Sequence, residues 1–203
     1  MKLWLLGFGI WVLGVDSASA QLLDRVVARV DGYAVTLSDV RAAIGLGIVN
    51  EAVPEQVGVD AVIERQLVLA EVARFAPPEP VPDAVEREAM RLRAHAGTRL
   101  AGLMVATGLD DARLREIARD NLRVEAYLTQ RFGATVQLTE EDVLQYYRIH
   151  PDEFTRDGRL MPFAEAEPAA RERAAGERRA AMVGQWHRDL RGRADIVLTT
   201  PRK

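Results

Sequence analysis

Apolar residues recur along most of this chain at the three- and four-residue spacing of amphipathic helices. The clearest stretch runs from Val57 to Phe75, where the apolar positions predict a helix with a broad buried face. The prolines between residues 77 and 82 end this helix, because proline cannot continue a helix interior. Further helices are predicted after Thr36, from Asp83 to Thr107, from Asp110 or Asp111 to Phe132, from Thr139 towards Pro151, and from Phe163 to Arg193. Capping boxes are expected at Thr36 and Thr139, and Asp83 is expected to cap the third helix.

Three short segments have strand character instead. Residues 25–30 and Tyr33–Val35 flank the pair Asp31-Gly32, which is typical of a type I′ hairpin turn, and Ile196–Thr199 lies near the end of the chain. Because a lone hairpin is marginal in water, the two ends of the chain are predicted to meet in one small sheet. The predicted fold is therefore mainly α: a helical core with a small N-terminal β-hairpin completed by the C-terminal strand. The last helix should pack among the N-terminal helices.

The first 20 residues have the pattern of a secretory signal peptide. Lys2 precedes the apolar run Leu3–Val15, and small residues follow at Ala18 and Ala20. This pattern predicts cleavage between Ala20 and Gln21 and export to the periplasm. An uncleaved membrane anchor is the alternative, but the apolar run is shorter than the roughly 20 residues that cross a bilayer.

Composition narrows the classes of function. The formal net charge is -3, which argues against a nucleic-acid partner, since phosphate binding favours a basic surface. There is no cysteine, so packing without disulfides must hold the exported protein together. After cleavage of the signal peptide, no remaining stretch is predicted to span a membrane.

Several segments resemble the SurA-type periplasmic chaperones and the related parvulin-like peptidyl-prolyl isomerases. Residues 24–40 are similar to the opening of that family, in which a hairpin leads into the first helix, and residues 62–71 look like its second helix. Residues 139–143 and 146–154 resemble the segment that precedes the parvulin domain. The resemblance implies a chaperone core over residues 21–154.

The chain also departs from that family. Where a parvulin domain would stand, residues 155–162 form a short turn predicted around Asp157-Gly158, and residues 163–203 supply the C-terminal helix and strand that pack back on the core. No residue corresponds to the parvulin active site. The isomerase activity of the family is therefore not carried over, and the protein is not expected to be an enzyme.

The residues that could in principle catalyse a reaction or bind a metal are better explained by structural roles. His95, His150 and His187 lie on separate predicted elements, and none has a second ligand at metal-site spacing. The acidic clusters at 110–111 and 140–142 stand at predicted helix starts, where carboxylates cap free backbone amides. No phosphate-binding loop is present, so neither a metal nor a cofactor is predicted.

The third predicted helix carries more apolar residues than one buried stripe requires, and two of them are methionines. Flexible thioethers suit a surface that accepts varied apolar sequences, although ordinary core is the alternative for any single residue. The residues predicted to line a polypeptide-binding groove are Val49, Val53, Met90, Leu100, Leu103, Met104 and Tyr127.

These features together predict a periplasmic, ATP-independent chaperone-like protein. Its expected partners are unfolded polypeptides, and the resemblance makes outer-membrane or secreted proteins the expected clients. Two alternatives remain open at this point. The protein could be an accessory or structural subunit of one envelope or secretion assembly, or it could retain prolyl isomerase activity at an unrecognised site.

Overall fold

The computed structural model describes residues 24–49, 55–133 and 137–199, and over these ranges the chain is mainly helical. The elements in chain order are β1 (Val26–Val30), β2 (Tyr33–Thr36), α1 (Leu37–Gly45), α2 (Glu55–Arg74), α3 (Pro82–Ala96), α4 (Leu100–Thr107), α5 (Asp111–Phe132), α6 (Glu140–Ile149), β3 (Thr155–Arg156), β4 (Arg159–Leu160), α7 (Phe163–Arg193) and β5 (Ile196–Leu198). The predicted mainly-α fold with a small sheet is confirmed.

The three-stranded sheet joins the two ends of the described chain, with β1 between β2 and β5. Asp31 and Gly32 both have positive φ, 48° and 85°, as a type I′ turn requires. On the other side of β1, Val30 pairs with Ile196 in an antiparallel register. The Asp31 N–H donates to the carbonyl of Asp195 at 2.9 Å, and the Asp195 N–H donates to Asp31 Oδ1 at 2.8 Å. The hairpin is therefore completed by the C-terminal strand, as predicted.

Capping boxes begin two helices at the predicted positions. The Thr36 hydroxyl accepts from the Asp39 N–H at 3.2 Å, while the Asp39 carboxylate accepts from the Thr36 N–H at 3.0 Å. Thr139 and Asp142 repeat this arrangement at the start of α6. Asp110 caps α5 by accepting the backbone N–H three residues on, at 2.7 Å. Each carboxylate satisfies an amide that the helix itself leaves free.

The predicted third helix is in fact two helices. Val81 holds the N-cap position without a side-chain hydrogen bond, and Pro82 is the first helical residue. The prediction that Asp83 caps the helix is wrong, because Pro82, with its fixed φ, already begins the helix and places Asp83 in its first turn. The helix then breaks at Gly97, whose φ of 54° and ψ of -131° are far from helical, and a 3-10 turn leads into α4. Apolar spacing continues across this break and so does not reveal it.

The main core lies between the sheet, α1, α2, α5 and α7. The Trp186 ring of α7 stands at its centre, 5.7 Å from the Tyr127 ring and 5.6 Å from the Phe132 ring, both on α5. Ile63 and Val72 of α2 are fully buried in the same cluster. Helix α7 therefore packs among the N-terminal helices, as predicted.

A smaller core forms where residues 155–162 connect the two parts of the chain. Strands β3 and β4 make a tight hairpin in which Asp157 and Gly158 have positive φ, 50° and 74°. The Tyr147 hydroxyl donates to the Met161 carbonyl at 2.6 Å. The buried residues beneath are Val143, Phe154, Ala166 and Ala170. Helix α7 continues from this hairpin into the main core.

Two predictions fall on residues outside the described ranges: the cleavage site between Ala20 and Gln21, and the groove residue Val53. Within the described ranges, no helix combines the length and apolarity needed to cross a bilayer. The same ranges hold no group of three or more His, Cys, Asp or Glu side chains placed to bind a metal.

Replacing Gly47 with alanine should destabilise the fold. Gly47 follows α1 with a φ of 69°, and a Cβ built there would overlap the imidazole of His95 on α3. Both the backbone strain and the collision oppose the substitution, so Gly47→Ala should cost more than about 1 kcal/mol of unfolding free energy. Urea unfolding followed by circular dichroism measures the change.

Gly176 supplies the matched control, because it lies inside α7 and a Cβ there would meet no atom within 4 Å. Gly176→Ala should stabilise the protein by about 0.5–1 kcal/mol through helix propensity. Equal unfolding midpoints for the two variants would contradict the proposed contact between Gly47 and His95.

Candidate polypeptide-binding site

Helix α4 is apolar around its whole circumference. Its sequence from Leu100 to Thr107 is LAGLMVAT, without a charged side chain. Its inner side rests on α1, where a Cβ at Gly45 would lie 2.8 Å from both terminal carbons of Leu103. Gly45 therefore allows α1 and α4 to approach closely, and a side chain there would displace Leu103.

The outer side of α4 is left uncovered. No residue of α4 is buried, and Val105 keeps 83% of its surface exposed. Ala101, Gly102 and Ala106 are exposed beside it. A helix that is apolar on all sides is normally buried. These four residues, here named the α4 surface, therefore present apolar area to solvent.

A pocket of about 400 Å³ adjoins the α4 surface. Thr107 ends α4 and also lines the pocket, whose other walls come from β2, α1, α2 and α5. Its main apolar lining is Val35, Ala42, Ala43, Val62, Leu69 and Ile117. Its polar lining includes Tyr33, Ser38, Arg65, Gln66, Arg113 and Asp120. The pocket lining therefore mixes apolar side chains with at least as many polar and charged ones, so it can contact both the apolar and the polar groups of a ligand.

Two helices supply these mixed walls at helical spacing. The α2 residues that line the pocket are Val62, Arg65, Gln66 and Leu69. The α5 residues are Arg113, Ile117 and Asp120. Positions three, four and seven apart share one face of a helix, so each helix turns a partly charged face towards the pocket.

Most carboxylates around the pocket have structural hydrogen bonds. Asp39 and Asp110 cap helices, and Asp24 Oδ1 accepts from the Ser38 N–H at 3.2 Å. Their lone pairs are therefore directed at backbone amides. Asp120 differs from these three because it lies within α5 and caps no helix.

Asp120 is held in an environment that disfavours its charge. Burial raises the pKa of its carboxyl, although Arg65, Arg123 and Arg113 partly oppose this effect. Arg123 Nη1 lies 3.9 Å from Asp120 Oδ1, which is within ion-pair distance but too long for a hydrogen bond. The carboxylate therefore lines the pocket with nearby positive charge but without a hydrogen-bond donor among the described side chains.

Arg65 is its counterpart on the opposite wall. Burial lowers the pKa of the Arg65 guanidinium, and the attraction of Asp120 and Glu88 offsets only part of that effect. Among the described residues, none forms a hydrogen bond with Arg65 or an ion pair within 4.0 Å of it. The guanidinium group carries five N–H donors in a fixed plane, and these donors therefore remain available to a ligand.

The residues predicted to line a groove lie in different parts of the structure. Leu100, Leu103 and Met104 lie together on α4. They are half-buried against a separate apolar cluster that includes Leu92 of α3 and Leu114 of α5. Met90 is 57% exposed, but it belongs to α3, before the break at Gly97. None of these four residues lines the pocket, to which α4 contributes Thr107.

Val49 and Tyr127 belong to the main core. They are 8% and 4% exposed, and Tyr127 packs on Trp186. Buried side chains of this kind contribute to packing and do not present a surface to a client in this conformation. Val53 lies outside the described residues.

Arg65 and Asp120 were not identified from the sequence. Arg65 interrupts the apolar spacing of α2 between Val62 and Leu69, and this interruption is the signal that could have drawn attention to it. A charge at the edge of an amphipathic helix usually faces solvent, however. The spacing alone therefore gives no reason to expect a pocket beside it.

The pH dependence of stability should have opposite signs at Asp120 and Glu88. A raised folded-state pKa contributes stability that is present below the unfolded pKa of 3.8 and is lost as pH rises through the folded value. Asp120→Asn removes a carboxyl whose ionisation destabilises the folded state. The unfolding free energy of this variant relative to the wild type should therefore increase from pH 3 to pH 7. Urea unfolding at both pH values measures the difference.

Glu88 is the control for this experiment. It accepts from Arg91 at 2.7 and 2.6 Å and from Asn121 at 2.8 Å, and these bonds lower its pKa. A lowered pKa contributes stability above the unfolded value that is lost as pH falls. Glu88→Gln should therefore be most harmful at pH 7, and the same pH trend for both variants would contradict the opposite roles.

The candidate site is thus the α4 surface together with the adjoining pocket and its two charged groups that have no hydrogen bond to another described side chain, Arg65 and Asp120. Comparison of the chain with protein-family models found no match, and comparison with curated proteins also found none.

Proposed function

We propose that this protein is a periplasmic, ATP-independent, chaperone-like protein that holds unfolded polypeptide at the α4 surface and the adjoining pocket. One observation carries the proposal: α4 is apolar on all sides, yet none of its residues is buried and Val105 is 83% exposed. Exposed apolar area of this kind is costly in water unless something covers it part of the time.

Unfolded polypeptide is an occupant with the required chemistry. It exposes apolar side chains that a folded protein buries, and the half-buried Met104 supplies a flexible thioether on α4 itself. Burying about 200 Å² of apolar area would contribute roughly 5 kcal/mol. Much of this is offset by the ordering of a flexible client, so binding should be weak and reversible.

The resemblance to the SurA-type chaperones supports the same function. In the described chain, the segments that carry the resemblance form a hairpin leading into α1, the central part of α2, and α6 with the turn after it. The signal-peptide pattern of residues 1–20 supports export. Unfolded outer-membrane or secreted proteins are therefore the proposed clients, and the hairpin of β3 and β4 takes the place of an isomerase domain.

Aggregation of an unfolded outer-membrane protein provides the direct experiment. The purified protein, added in stoichiometric amounts without ATP, should suppress the light scattering that follows dilution of the client from urea. A folded client should not bind, because its apolar residues are already covered. Unchanged scattering and no detectable binding to the unfolded client would overturn the proposal.

Placing a charge on the α4 surface should weaken client binding. Val105→Asp adds a carboxylate to the centre of this surface, and desolvating that group on binding costs more than about 1 kcal/mol. The affinity for the unfolded client should therefore fall about fivefold to tenfold, measured by fluorescence anisotropy of the labelled client.

The matched control is Val197→Asp on β5, since Val197 is also exposed at 53% but lies on the strand at the opposite edge of the sheet from β2. Its effect on binding should be small. Equal losses in the two variants would contradict a role for α4. A concentration-dependent dimer that Val105→Asp dissociates would show instead that a second copy covers this surface.

A further inference from the structure

We infer that the pocket beside α4 binds one residue of an extended polypeptide, with its bulky apolar side chain on the pocket floor, its carbonyl on Arg65 and its amide N–H on Asp120. This inference rests on the proposed function and deepens it, because it names the chemical group that is recognised and the two residues that recognise it.

The positions of the two charged groups are the first argument. Arg65 projects from α2 and Asp120 from α5, and both line the same pocket. They are close enough to influence each other electrostatically, yet no ion pair within 4.0 Å joins them in the described chain. A donor and an acceptor therefore face one cavity without satisfying each other.

The two charges together favour a neutral dipolar ligand. A ligand carboxylate would be attracted by Arg65 and Arg113 but repelled by Asp120 and by the other carboxylates of the lining, and an amine would meet the opposite conflict. One residue of an extended chain offers an N–H donor and a carbonyl acceptor on the same side, as in a β-ladder. It can therefore satisfy both groups without adding a net charge to a desolvated site.

The rest of the pocket fits the side chain of such a residue. The floor is formed by apolar residues from β2, α1, α2 and α5, including Val35, Val62 and Ile117. A volume of about 400 Å³ accommodates an aromatic or long aliphatic side chain together with adjacent backbone. An alanine in this place would leave most of the floor uncovered.

The ionised carboxyl of Asp120 also costs folding free energy, and packing gives no reason for its presence. Its side chain is half-buried, with 32% of its surface exposed, and it has no capping role, in contrast to Asp24, Asp39 and Asp110 around the same pocket. A group that is held at the expense of stability in a cavity is a common feature of functional sites.

The experiment uses short blocked peptides and the purified protein. The reference probe is acetyl-Ser-Gly-Phe-Gly-Ser-amide, followed by NMR titration of the protein. Replacing Phe with Ala should weaken binding about tenfold, because the apolar floor is left uncovered. Replacing the Phe amide N–H with an ester oxygen should weaken it about tenfold as well, because a hydrogen bond to a charged group is lost.

Variants of the protein then identify the partners of the peptide group. In Asp120→Asn, the amide and ester peptides should bind with nearly equal affinity, since the charged acceptor of the N–H is gone. Arg65→Met should weaken the amide peptide several-fold, whereas Arg87→Met, which removes an exposed arginine of α3, should not. Circular dichroism of each variant confirms that it is folded, and the peptide series in the wild type tests the inference even if a variant is not.

The outcomes separate this inference from the proposed function. Equal binding of the amide and ester peptides by the wild type, or clearly tighter binding of the same peptide with a free C-terminal carboxylate, overturns the inference. If the wild type suppresses client aggregation while the peptide series shows no preference, the pocket assignment fails and the chaperone function stands. If the wild type does not bind unfolded client at all, both fail.

Discussion

The pairing of β1 with β5 is the constraint on which the rest of the described structure depends. The hairpin of β1 and β2 cannot be stable alone in water, and β5 gives it the third strand that it lacks. The reciprocal hydrogen bonds between Asp31 and Asp195 fix the register of this pair at the end of β1. Because β5 follows α7 directly, the same pairing draws α7 into the main core, where Trp186 packs on two aromatic rings of α5.

The candidate site depends indirectly on this pairing. The sheet and α7 hold α2 and α5 beside each other, and the pocket lies where these two helices meet β2 and α1. Helix α4 is attached to the same scaffold through its contact with α1, which the absence of a side chain at Gly45 makes possible. The exposed apolar helix is therefore packed on the core through α1, with its outer side left open to a client.

Residues of one type have two different roles around the pocket. Asp24, Asp39 and Asp110 stabilise the fold, since each accepts backbone amides that would otherwise be unsatisfied. Asp120 opposes the fold slightly, because its charge is desolvated without a hydrogen-bonded partner among the described side chains. The difference lies in the local hydrogen bonds of each carboxylate. Asp120 and Arg65 are the groups to which a ligand could supply the missing hydrogen bonds.

The sequence by itself determined the features that neighbouring residues control. The Asp31-Gly32 turn, the Thr36 and Thr139 capping boxes and the span of α7 depend on interactions within a few positions, so composition and spacing are sufficient to predict them. The break at Gly97 was missed because apolar spacing continues across it, while the backbone conformation that ends α3 is not encoded in that spacing.

Only the tertiary structure decided where the site lies. Tyr127 and Met104 were both predicted to line the groove, yet Tyr127 is buried against Trp186 and Met104 belongs to an exposed helix. Arg65 and Asp120 are far apart in the chain and face one cavity because α2 packs against α5. Periodicity specifies which face of a helix is apolar, but the partner of that face, and the gap left between partners, is set by how the whole chain packs.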